Sequence, residues 1–322
     1  GSEMCIRDRL DVATSENSIQ ESIAQIYIQI LYAAESVRVN ENTLQVSIAQ
    51  RDRGQELLNA GSIAKSDFAQ LEAQVSTDRY QLVTAQATLQ DYKLQLKQLL
   101  ELDGENEMNI YLPALSDENV LSPLPAKRDV YVSALALRPE IEASKLNVNA
   151  SELGIDIAKS GYLPTVSLSA GIGTNHTSGS DFTFSEQVKN GWNNSIGLSV
   201  SVPIFNNRQT KSAVQKAKLQ YETSMLSLLD EQKALYKTIE GLWLDANSAQ
   251  QRYAAANEKL KSTQISYNLI SEQFNLGMKN TVELLTEKNN LLQAQQEQLQ
   301  AKYMAILNTQ LLKFYQGDKL AL

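Results

Sequence analysis

Ser160–Asn175 reads SGYLPTVSLSAGIGTN, and Asn194–Asn207 reads NSIGLSVSVPIFNN. Neither run contains Asp, Glu, Lys or Arg, in a chain of 322 residues that is 20% charged. Taken alternately, Val166, Leu168, Ala170 and Ile172 point one way, and Thr165, Ser167, Ser169, Gly171 and Gly173 point the other. In the second run Ile196, Leu198, Val200 and Val202 face one side, and Ser195, Gly197, Ser199 and Ser201 face the other. A two-residue period predicts strands. Each run covers about 11–13 residues, enough to cross a bilayer when tilted. A soluble hairpin usually carries Lys or Glu on its wet face. A membrane barrel instead sets lipid against one face and a water-filled lumen against the other. Val166, Leu168, Ile172, Ile196, Leu198, Val200 and Val202 are therefore the expected lipid-facing residues, with Tyr162, Trp192 and Phe205 at the interfaces. Two strands cannot close a barrel, and open edges are not tolerated in lipid, so the barrel must be shared between chains.

The flanking sequence is helical. Ile23, Ile30, Val37, Leu44 and Leu58 follow a step of seven, with Arg51 as the exception, and Phe68, Val75, Leu82, Leu89 and Leu96 follow another. The break between them, LLNAGSIAKSD, predicts an antiparallel helical hairpin over residues 15–102 that turns near Gly61. A second hairpin is predicted over 207–316, turning near Gly277. Val214, Tyr221, Leu228, Leu235 and Leu242 lead into that turn, and Leu285, Leu292, Leu299 and Ile306 leave it. Placing Gly61 on Gly277 also aligns Glu56 with Glu272, Asn59 with Asn275, Asp67 with Glu283 and Leu44 with Leu260, so the chain is an internal duplication. Residues 103–127, with three of the six prolines, predict a connector. Residues 128–161 read as one helix, 162–206 as the strand hairpin and 317–322 as a tail. Residues 1–14, beginning GSEMCIRDRLD, have neither the apolar core of a signal peptide nor a clear period, and read as a disordered or extraneous end.

Composition excludes several functions. A net charge of −8 without a basic patch argues against nucleic acid. The single cysteine, Cys5, rules out an internal disulfide and has no apolar run before it for lipid attachment. No stretch of 18 apolar residues predicts a transmembrane helix. The one histidine, His176, lies in the inter-strand loop, and no His or Cys cluster predicts a metal or cofactor. The glycines of SAGIGTN sit in a strand pattern with no helix after them, so they do not form a phosphate loop. No catalytic constellation is present, and no enzyme is expected.

ALRPEIEASKLNVNASELGIDIAKSGYLPTVSLSAGIG, followed by LSVSVPIFNNRQTKSAVQKAKLQYE, resembles the signature of the TolC-like outer membrane efflux proteins. Arg138-Pro139, Tyr162-Leu163-Pro164, Val202-Pro203-Ile204-Phe205 and the two tip glycines occur in the family's order, and the resemblance covers roughly residues 15–317. It implies a homotrimer in the outer membrane and periplasm of a Gram-negative bacterium. The strands would share one β-barrel and the helices would form a long periplasmic α-barrel. Substrates would leave through the bore, served by a periplasmic adaptor protein and an inner-membrane pump. The family has four strands per chain, so an earlier strand pair, its leading helix and a targeting signal are expected outside this sequence. The main rival is a soluble coiled-coil scaffold or tether whose hairpin only caps the helices.

The resemblance also implies roles at the tips. Ala60, Gly61, Ser62, Leu276, Gly277 and Met278 correspond to the adaptor-docking turns. Asp67 and Glu283 match acidic positions that ring the entrance, and Lys279 matches an arginine that ties neighbouring helices, with Asp67 as its expected partner. Phe274 takes the place of the network's tyrosine, and Thr286 replaces a second acidic residue.

Overall fold

The computed structural model describes residues 2–102, 110–111, 120–179 and 181–320. The elements are α1 (Ser2–Asn59), α2 (Lys65–Leu99), α3 (Lys127–Leu137), α4 (Pro139–Ser160), β1 (Thr165–Gly173), α5 (Phe184–Asn190), β2 (Asn193–Ser201), α6 (Gln209–Asn275) and α7 (Thr281–Gln316). They form two units, residues 1–7 with 143–231 and residues 8–142 with 232–322. Among the described residues no helix is long and apolar enough to cross a membrane.

The heptad runs become helices that turn where the glycines predict. Five residues, 60–64, join α1 to α2, and five, 276–280, join α6 to α7. Two predicted boundaries differ. Helix α1 begins at Ser2, so residues 2–14 are helical. That segment contains neither proline nor glycine, and nothing in it interrupts the hydrogen-bond ladder. The single helix expected over 128–161 is split between α3 and α4. Arg138 adopts an extended conformation (φ −74°, ψ 124°), because the Pro139 ring clashes with a helical backbone at the preceding residue. Most of the connector expected over 103–127 lies outside the described residues, as do the last two residues of the tail.

In the unit of residues 8–142 and 232–322, α7 is the central element. Ala305, Ile306, Leu307, Asn308 and Thr309 are buried in succession. An amphipathic stripe buries about three residues in seven, so this helix is covered on several sides. One cluster joins Ala24, Ile28 and Leu31 of α1 to Ala249 and Tyr253 of α6 and Ala301 to Leu311 of α7. Another packs Val130 and Ala134 of α3 and Ile141 of α4 against Leu235, Ile239, Leu312 and Tyr315. The Arg138 guanidinium seals the α3–α4 junction. It lies 4.1 Å over the Tyr315 ring and bonds Glu21 at 3.0 Å and Glu140 at 2.7 Å. Burial pushes the Tyr315 pKa up to about 12, so the hydroxyl stays neutral under the cation.

In the unit of residues 1–7 and 143–231, β1 and β2 pair antiparallel. Val166 lies opposite Val200, Leu168 opposite Leu198, and Ser167 opposite Ser199. Each strand is nine residues long, shorter than the uncharged run that predicts it. Asn207 (φ 50°) and Arg208 (φ 62°) then turn the chain into α6 in the left-handed region. The Thr210 hydroxyl, near the start of α6, accepts from Asn206 and donates to the Gly161 carbonyl at the end of α4.

Candidate functional site: the helix tips and the strand pair

The two tips share one backbone solution. Gly61 and Gly277 have φ of 73° and 72°. At the first tip, Gly61 N–H donates to Leu58 and Ser62 N–H to Leu57, at 2.9 and 2.8 Å. At the second, Gly277 N–H donates to Phe274 and Met278 N–H to Gln273, at 2.9 and 2.8 Å. This is the Schellman arrangement, in which a left-handed residue just past the helix satisfies the last carbonyls. A Cβ added at either glycine meets nothing within 4 Å, so only the backbone conformation requires glycine. Gly61→Ala or Gly277→Ala should each cost about 1–2 kcal/mol, read as a lower unfolding midpoint.

The helices that leave the tips start differently. Asn280 and Glu283 form a capping box at α7: the Asn280 side chain accepts from Glu283 N–H at 2.9 Å, and Glu283 accepts from Asn280 N–H at 3.2 Å. Ala64 caps α2 without a side-chain bond, and Asp67 lies in the first turn, where a carboxylate complements the helix dipole. Within the chain Lys279 does not reach Asp67. It pairs with Glu283 at 2.5 Å, one turn along, as the four-residue spacing favours. That ammonium, with the Asn280 N–H, holds the Glu283 carboxyl below the ordinary carboxylate range. The pair and cap are intact above that range and are lost only as pH falls through the lowered value.

Phe274 does not line a rim. It is 2% exposed, packed with Leu71 and Leu284 under the tips. Around it the tips are tied together: Gln50 donates to the Tyr267 hydroxyl at 2.9 Å and Arg53 to the Asn275 carbonyl at 3.3 Å. Ala60, Gly61, Ser62, Leu276, Gly277 and Met278 are all exposed, and Leu276 and Met278 form an apolar end to the second tip.

One buried cluster was missed by the sequence reading. Lys288 of α7 and Asp78 of α2 form an ion pair with side chains 3% and 1% exposed. The Ser47 hydroxyl of α1 donates to Asp78 and accepts from Lys288. Gln74 donates to the second Asp78 oxygen at 2.9 Å. Burial lowers the Lys288 pKa, and the bond to Asp78 opposes that shift. Among the described residues no group of three or more His, Cys, Asp or Glu side chains is arranged to hold a metal ion.

The strand pair leaves its apolar face open. Val166, Leu168, Ile172, Ile196, Leu198, Val200 and Val202 are 59–84% exposed. The opposite face carries Ser167, Ser169, Ser195 and Ser199, and the Ser169 hydroxyl donates to the Gly197 carbonyl at 3.2 Å. A hairpin that merely capped soluble helices would bury its apolar side. Between the strands, α5 is started by a capping box of Thr183 and Glu186, an element the sequence reading passed over although Thr-Phe-Ser-Glu carries its signature. The His176 ring makes an edge contact with Phe184.

Comparison with known proteins agrees with this architecture. The family model described as outer membrane efflux protein matches residues 130–317. The chain is 24% identical over 294 residues to the outer membrane efflux protein BepC of Brucella suis, covering 91% of this chain and 61% of BepC. It is 24% identical over 309 residues to the outer membrane protein TolC of Escherichia coli, covering 92% of this chain and 60% of TolC. It thus spans about 60% of the length of these curated relatives. The structure of the outer-membrane channel OprN superposes with a TM-score of 0.80 at 18% identity, over 98% of this chain and 69% of OprN. With more than half of its length matched by the family model, and with tandem tips and an open-faced strand pair in the expected order, the chain belongs to the outer membrane efflux protein family.

Proposed function

We propose that this chain forms part of a passive export duct, a homotrimer that crosses the outer membrane through a shared β-barrel and the periplasm through a barrel of its helical hairpins. Small molecules or proteins pass through the bore, and no covalent chemistry or cofactor is involved. A periplasmic adaptor docks on the Gly61 and Gly277 tips, and an inner-membrane pump supplies the energy. The strand pair carries this reading: one face is apolar and exposed, the other is small, polar and uncharged. Lipid on one side and water on the other accounts for both faces. A soluble tether accounts for neither.

At the entrance, Asp67, Lys279 and Glu283 set the charge of the rim. The test is single-channel conductance of the complete protein in planar bilayers. Glu283→Ala should weaken cation preference. Lys279→Ala should strengthen it by freeing the Glu283 carboxylate, and Asp67→Ala should raise conductance. Wild-type behaviour in all three would overturn the rim assignment. Failure of the wild-type protein to conduct would overturn the duct.

A further inference from the structure

We propose that α5 is an interfacial foot that lies in the headgroup layer of the outer leaflet, with Phe184, Val188 and Trp192 against the upper acyl chains and Lys189 beside an anionic lipid phosphate. On the duct reading, on which this rests, α4 leads into the strand pair and α6 leaves it at the periplasmic end. The loop of residues 174–192, which carries α5, is therefore at the other end, on the outer side of the membrane. Phe184 and Val188 stand four residues apart in α5 and line an open groove with Ser185, Lys189 and Trp192. Lys189 is the charged member of that lining, and Glu186 is held back in the capping box with Thr183. Aromatic and aliphatic side chains beside a single cation suit a bilayer interface, where acyl chains meet anionic phosphates.

Register ties α5 to the apolar side of the strand pair. Ile172 pairs with Asn194 and Gly173 with Asn193, so Thr174 and Trp192 take the next positions, in step with the apolar face of Leu168, Ile172, Ile196 and Leu198. The Thr174 hydroxyl donates to the Val188 carbonyl of α5 at 3.0 Å. A Cβ at Gly191 would meet the Thr174 hydroxyl at 3.2 Å and the Gln187 carbonyl at 2.8 Å, so the chain returns from α5 in close contact with the end of β1. Polar bonds order the rest of the loop. Gln187 accepts from Thr177 N–H at 2.7 Å and donates to the Phe182 carbonyl at 2.8 Å. Gly191 N–H donates to the Gln187 carbonyl at 2.7 Å. This order does not bury the aromatic residues: Phe182, Phe184 and Trp192 stay 58–65% exposed. A loop that only joined two strands would need a few polar residues. A helix built to hold aromatics outward, on the side that faces lipid, is explained by the interface it enters.

The test uses tryptophan fluorescence of the complete protein in reconstituted bilayers. Trp192→Phe silences the native reporter, and Phe184→Trp on that background places one on α5 itself, at an exposed position. The difference between the two proteins isolates the α5 signal. Phosphatidylcholine brominated near the headgroup end of its chains should quench that signal by about half. Bromine carried on phosphatidylglycerol at the same lipid fraction should quench it about twofold more, because the lysine gathers anionic lipid. Lys189→Gln should remove that preference and keep the quenching by phosphatidylcholine. If the Phe184→Trp protein fails to assemble, Trp192, read as wild type minus Trp192→Phe, carries the same test. An unquenched signal in a protein that conducts single-channel current would overturn the foot and leave the duct, with the loop then covering the barrel mouth or meeting a protein partner. Equal quenching by the two lipids with Lys189 in place would overturn its assignment to lipid phosphate. A quenched signal in a protein that does not conduct would support the foot and overturn the duct.

Discussion

Gly277→Trp should abolish export while the protein still folds and inserts. The glycine lies in the α6–α7 turn, where an added Cβ meets nothing within 4 Å. The positive φ makes any larger residue unfavourable by about 1–2 kcal/mol, too little to unfold helices anchored by the clusters around Ile239 and Tyr253. A bulky ring there projects between the tip and any partner that approaches it. Small residues at both tips, with Ala60 and Ser62 flanking Gly61, suit close approach of a partner backbone. Export of a pump substrate and the amount of trimer in the outer membrane, measured together, check this. Loss of export with normal trimer is the expected result. Full export would remove the tips from the docking surface.

The second large effect concerns the strands. Val200→Lys should weaken assembly in the membrane by about 2–4 kcal/mol if the site lies near mid-bilayer. Ser199→Lys, one residue away, should cost much less. Val200 pairs with Val166 on the apolar face, and Ser199 pairs with Ser167 on the polar face. In the proposed barrel a lysine among the valines would face hydrocarbon, whereas a lysine among the serines would face water. Trimer yield from outer membranes, compared for the two variants, reads the difference. Equal tolerance would refute the assignment of the faces.

The helical hairpins and the strand pair could be read from local signals. A seven-residue apolar step, a glycine-containing break and a two-residue alternation each report on neighbours in sequence, and each has its counterpart in α1–α2, α6–α7 and β1–β2. The break at Arg138 was also legible, since the residue before Pro139 avoids helical geometry, but the apolar pattern on both sides masked it. The Lys288–Asp78 pair was harder to see because its members are 210 residues apart. The only local sign was a charged residue at a core heptad position, and such residues usually lie on a solvated face. Phe274 was read through its place in the tip motif. Its burial with Leu71 and Leu284 depends on a packing that brings three helices together. The Lys279–Glu283 pair was legible too, since the two residues stand at the ordinary four-residue helical spacing.

The central claim is that the strand pair separates lipid from water. Single cysteines at Ser167, Leu168, Leu198 and Ser199, introduced into the complete protein with Cys5 replaced by serine, test it most directly. A membrane-impermeant maleimide is applied to isolated outer membranes. The account predicts strong labelling at 167 and 199 and little at 168 and 198. Equal labelling at all four positions would contradict it.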